Sequence, residues 1–118
     1  MSTEIVGVAD GVLTARIAGM LSPSDVQAMQ KSVVELLEKH QKLRLLLDAV
    51  GFAGLEKGKW SATSTLSRYD AQIEKMAIIG DRKWESDILL FTGKGLRRAQ
   101  IEYFAPGDEA KARAWLST

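Results

Sequence analysis

Apolar positions along the chain first alternate with a period of two, then regroup into helical stripes separated by short apolar runs. Residues 5–9 and 12–18 flank Asp10-Gly11, a dipeptide that supplies the positive φ angles of a two-residue hairpin turn. Within the second segment Leu13, Ala15 and Ile17 fall on one face and Thr14 and Arg16 on the other, the pattern of a half-buried strand. Ser22-Pro23-Ser24-Asp25 then opens a helix. Ser22 can cap free amides, Pro23 suits the first helical position, and Asp25 completes a variant of the capping box. Val26, Met29, Val33, Leu36 and Leu37 continue it as a single apolar stripe, and Glu35 and Lys39 stand four apart in the stabilising order.

Residues 43–49 form a compact apolar run, the mark of a central strand. A loose connection is expected next, where Gly51, Gly54 and Gly58 interleave with Phe52 and Leu55. Residues 60–69 predict a second helix, weakened by its serines and threonines. Residues 75–79 predict a strand, Gly80-Asp81 a turn, and residues from about 83 to 91 a third helix that Thr92-Gly93 stops. Residues 100–104 predict a last strand, and Pro106-Gly107-Asp108 leads into a final helix ending at Ala114-Trp115-Leu116. The order is ββαβαβαβα. After the hairpin, strands alternate with helices, so an α/β fold of parallel strands and right-handed crossovers is expected, in one domain over residues 1–118.

The strand faces add a constraint. With Leu13, Ala15, Ile17, Leu43, Leu45, Leu47, Met76, Ile78, Ile101 and Tyr103 on the buried side, the other side carries Arg16, Arg44, Lys75 and Glu102. A sheet covered on both faces reads as continuously apolar. The helices are therefore expected mainly on one face of a mixed sheet, with the other face partly wet or used by a partner, including a second copy of the chain.

Composition narrows the class without naming a function. The formal net charge is +1, which offers no global attraction to nucleic acid. Cysteine is absent, which removes disulfides and thiolate chemistry. Met1-Ser2-Thr3-Glu4 lacks the basic start and apolar run of a signal peptide, and no segment approaches the ~20 apolar residues that span a bilayer. A cytoplasmic protein is expected, at most peripheral to a membrane.

Candidate chemistry is sparse. The one histidine, His40, follows the first helix, where the helix dipole favours a cation; no metal or triad partner accompanies it. Ala53 to Trp60 superficially resembles a phosphate-binding loop, but Ala53 stands for the first glycine, Trp60 for the magnesium-binding hydroxyl, and Glu56 would oppose a phosphate. Asp48 and Asp81 fall at the carboxyl ends of two successive predicted strands, where α/β folds place ligands. Together they could bind a cation; as a cap and a turn residue they need none. The stretch from Lys83 is the most informative. Trp84, Ile88 and Phe91 share one stripe, Leu89 and Leu90 widen it, and the basic residues Lys94, Arg97 and Arg98 follow. Such a helix can dock at a membrane interface or lid an apolar pocket, and equally serves as a core helix with a solvated basic turn. Phe52, Leu55, Trp60 and Tyr69 could line a pocket beside it or pack as satellite core.

The run Met76-Ala77-Ile78-Ile79-Gly80-Asp81-Arg82-Lys83-Trp84-Glu85 resembles the strand and Gly-Asp-Lys/Arg-Lys-Trp segment of the SpoIIAA-like family. Ile101-Glu102-Tyr103-Phe104 and Ala112-Arg113-Ala114-Trp115-Leu116 match it further, and the similarity covers essentially the whole chain. The resemblance implies a STAS-like fold, related in form to CRAL-TRIO lipid-binding domains. It also implies a third-helix region tied to opening, apolar ligands and membrane association, which carries over to Trp84, Ile88, Leu89, Leu90 and Phe91. It brings no catalytic activity and no cofactor. Anti-anti-sigma proteins of this kind carry Asp-Ser-Ser-Gly after the third strand, with a phosphorylatable serine. Here Asp48-Ala49-Val50-Gly51 offers no hydroxyl, and Ser61, Thr63, Ser64 and Thr65 lie too far along. The expectation is a non-enzymatic module for an apolar or lipid-like ligand or a membrane surface. The alternative is a protein-interaction regulator without the serine switch. An enzyme built on Asp48 or Asp81 ranks last, because no nucleophile, base and orienter converge.

Overall fold

In the computed structural model, which describes residues 3–40, 42–56, 72–86, 88 and 100–118, the chain begins with the hairpin its Asp-Gly pair predicts. Asp10 and Gly11 take φ of 53° and 75°, which joins β1 (Thr3–Ala9) to β2 (Val12–Leu21) in antiparallel register. Helix α1 (Pro23–His40) follows. Its start is a reciprocal cap: the Asp25 amide donates to Ser22 Oγ at 3.1 Å, and the Ser22 amide donates to the Asp25 carboxylate at 3.3 Å. Strands β3 (Leu43–Leu55), β4 (Ile73–Ile79) and β5 (Gln100–Phe104) then join in parallel, and helix α2 (Glu109–Leu116) closes the described chain.

The sheet has five strands in sequential order, β1-β2-β3-β4-β5. One face is the main core. Leu13, Ile17, Leu45, Leu47, Met76, Ile78, Ile101 and Tyr103 meet Val33 and Leu37 of α1 there, together with Ile88. Helix α1 joins β2 to β3 across this face, and Ile88, which follows β4 in the chain, is buried in the same cluster.

Two features depart from the sequence reading. The connection expected after residue 49 is strand instead: β3 runs on to Leu55, pairing Gly51, Phe52, Gly54 and Leu55 with Ala18, Gly19, Met20 and Leu21 of an equally extended β2. Glycines punctuate loops in most sequences. Here they fall in two paired strands whose register shifts twice, after Arg16 and after Gly19, where bulges favour them.

The second departure concerns the polar face. Leu46, Ala77 and Ile79 alternate with the main-core residues and form a smaller cluster with Ala112 and Leu116 of α2, flanked by Val12, Phe104 and Trp115. So α2 takes the face opposite α1. Arg44 and Lys75 are half-buried there: Arg44 donates to the Leu116 carbonyl, and Lys75 Nζ donates to the Trp115 carbonyl at 3.1 Å. Lys75 also lies 4.9 Å from the Trp115 ring centroid. These cations satisfy the last carbonyls of α2 and complement its dipole. Toward β1 the same face stays open, with Arg16 between Glu4 at 3.8 Å and Asp48 at 3.5 Å.

Candidate functional site

The carboxyl end of β4 is organised residue by residue. The Gly80 amide donates to the Phe104 carbonyl at 3.0 Å, which holds the turn against β5. A Cβ at Gly80 would lie 2.5 Å from the Tyr103 hydroxyl, so only glycine lets that phenol pass. The hydroxyl uses the space to donate to the Asp81 carbonyl at 2.8 Å. The Asp81 carboxylate accepts from the Lys83 amide at 3.0 Å and so caps a 3-10 turn, Arg82–Trp84. Helical backbone continues at 85, 86 and 88. The third helix thus opens with a tight turn before it becomes α-helical.

The electrostatics follow from this packing. Arg82 pairs with Glu85 at 2.6 Å, and the hydrogen bond and charge of that carboxylate raise the guanidinium pKa further. Burial pushes the Tyr103 phenol above its ordinary value, Glu85 and Asp81 push the same way, and Arg82 opposes them.

Trp84 is the product of the turn. Its ring meets Phe52 edge-on, with centroids 5.3 Å apart and planes at 82°, a favoured aromatic geometry. It also reaches over Gly54: a Cβ there would stand 3.5 Å from Trp84 Cη2 and 3.3 Å from Met20 Sδ. Gly54 has φ +127°, a backbone conformation that side chains rarely adopt. The bare backbone of β3 therefore lets both Met20 and Trp84 approach Gly54 closely. The result is an apolar wall of Met20, Phe52 and Trp84 at the carboxyl ends of β2 and β3. Phe52 and Ile88 anchor it in the core at 6% and 3% exposure, whereas Met20 remains 45% exposed. Lys83 stands at its rim, with Nζ 5.6 Å from the Trp84 ring centroid.

The other residues singled out in the sequence distribute as follows. Leu55 pairs through its backbone with Leu21. Trp60, Tyr69, Leu89, Leu90, Phe91, Lys94, Arg97 and Arg98 lie outside the described residues, as does the helix expected over 60–69. Asp48 sits within β3 rather than at its end, because the strand continues. It pairs with Arg16 and accepts from the Val50 amide at 3.2 Å. Asp48 and Asp81 are thus engaged separately, and among the described residues no group of three or more His, Asp or Glu side chains could hold a metal. His40 ends α1 at the surface. No described helix is long and apolar enough to cross a membrane. Met20 and Gly54 carry no site signal in the sequence: the alternation ends the second strand at residue 18, and Gly54 reads as a loop residue.

An antiparallel hairpin feeding sequential parallel strands, with a glycine-aspartate turn that seats a tryptophan on the sheet, defines a STAS-like α/β module. A family model described as SpoIIAA-like matches residues 12–117, and the chain belongs to the SpoIIAA-like family. Such domains are interaction modules. Among solved structures, one similar chain is an uncharacterised protein of the DUF3478 family with a SpoIIAA-like fold from Shewanella loihica PV-4. It is 18% identical, with a TM-score of 0.67, over 97% of this chain and 91% of that one. At this identity the likeness shows the fold. No curated protein matches the sequence.

Proposed function

We propose that this protein is a non-enzymatic binding module that takes an apolar, lipid-like chain at the carboxyl ends of β2 and β3. One observation carries the reading. Met20, 45% exposed, stands beside Trp84 over a glycine backbone, at the end of the sheet where α/β folds bind ligands. The family resemblance ties Trp84, Ile88, Leu89, Leu90 and Phe91 to apolar ligands, and of these Trp84 and Ile88 pack in the core cluster that backs the wall. Wetting an exposed methionine beside an aromatic ring is unfavourable, and a hydrocarbon laid against both removes that surface from water. Decanol is a suitable neutral probe. Titration should change the tryptophan emission saturably, and Met20→Glu should weaken binding about tenfold by placing a charge against the chain. Absence of saturable decanol binding, or equal binding by Met20→Glu, contradicts the reading.

A second reading is a protein-interaction regulator working without a serine switch. The open sheet face favours it: the Glu4–Arg16–Asp48 row lies beside Val50, which is 50% exposed, while Ala49 is fully buried. In that case Arg16→Glu should abolish recovery of a stoichiometric protein partner and leave decanol binding intact.

A further inference from the structure

Resting on the apolar-chain reading, we infer that the ligand is an anionic amphiphile, a single long-chain carboxylate whose head group meets Lys83 at the rim of the Met20–Trp84 wall. Two cations stand side by side in the turn, and they are not equivalent. Arg82 is neutralised by Glu85 at 2.6 Å. Among the described residues no carboxylate lies within ion-pair distance of Lys83 Nζ, which rests 5.6 Å from the Trp84 ring centroid. The two acids nearest in sequence are both engaged elsewhere: Asp81 accepts from the Lys83 backbone amide, and Glu85 pairs with Arg82.

An ammonium over an aromatic face keeps its charge while its methylene stem lies along apolar surface. Trp84 therefore touches both halves of the proposed ligand: its ring edge borders Met20 across Gly54, and its face carries the cation. A chain against the wall brings its terminus to the rim, where one positive charge matches one monovalent head group. A neutral chain would leave that charge unanswered. A vesicle surface gains its attraction from several cations near one plane, and the described rim of the wall offers one without a carboxylate partner.

The test compares decanoate with decanol on the purified protein, using Lys83→Gln and Lys83→Arg. Lys83 is exposed, so both variants are expected to fold, and circular dichroism checks that they do. Lys83→Gln should weaken decanoate about fivefold, as expected of an exposed ion pair, and leave decanol unchanged. Lys83→Arg should retain decanoate affinity, and raising ionic strength should erode it. Decanoate binding unaffected by Lys83→Gln, or decanol weakened equally, overturns the head-group assignment while the apolar module stands. Decanol binding without decanoate binding does the same. Failure of both probes overturns the module reading as well. Sedimentation with anionic vesicles that Lys83→Gln abolishes, in the absence of decanoate binding, overturns the inference in favour of a membrane surface.

Discussion

At the scale of single residues, the turn after β4 shows how far a short sequence motif can be read physically. The run Gly80-Asp81-Arg82-Lys83-Trp84 was legible as a turn into a helix, and each member has a structural task. Gly80 leaves room for a phenol, Asp81 caps, Arg82 pairs, and Trp84 lands on the sheet. The steric claim is testable. Gly80→Ala would place a methyl 2.5 Å from the Tyr103 hydroxyl and 3.3 Å from its ring carbon, and should cost about 1–3 kcal/mol in urea unfolding. The same substitution in a Tyr103→Phe background should cost less, because the closest atom is gone. Tyr103 also gives a pH prediction. Its phenol is held above the ordinary value near 10 by burial and by Glu85 and Asp81. Its contribution to stability is therefore full below about pH 10 and is lost as pH rises through the raised folded value, since the unfolded chain ionises first. Tyr103→Phe should flatten that alkaline decline in unfolding midpoints. What the sequence did not disclose at this scale is Met20. Its role depends on Gly54 in the neighbouring strand, and a register shift between two strands has no local signature.

Elements were legible where one local device sufficed. The Asp10-Gly11 turn, the capping box of α1 and strand β5 follow from propensity and spacing alone. Ser22→Ala removes the hydroxyl that accepts from the Asp25 amide and should cost about 1 kcal/mol by thermal or urea unfolding. The extension of β2 and β3 was not legible, because glycine is a turn signal in isolation and a bulge residue only when a partner strand is known. The second layer was hidden for a related reason. Arg44 and Lys75 read as solvated charges, yet both turn to the end of α2, and a helix eight residues long needs such help. Lys75→Met should accelerate amide exchange in residues 109–116 while leaving α1 protected, with a loss of about 1 kcal/mol in global stability. Equal acceleration in both helices would mean that α2 does not open separately from the core.

For the whole molecule, the two faces of the sheet divide the work. The face under α1 is the main core and, at the carboxyl ends of β2 and β3, supplies the apolar wall. The opposite face is closed by α2 over β3–β5 and open over β1 and β2, where the Glu4–Arg16–Asp48 row lies. Composition and charge excluded classes of function, and the SpoIIAA-like motif supplied the architecture. The position of the proposed site depends on the pairing of β2 with β3, because Met20, Phe52 and Trp84 come from three separate stretches of chain. The most direct test of the apolar site is a titration followed by the indole N–H resonances. Decanol should shift the Trp84 signal saturably and leave Trp115 unmoved, since Trp115 packs with Phe104 against the opposite face. An unshifted Trp84, or a Trp115 that moves in its place, would contradict the account.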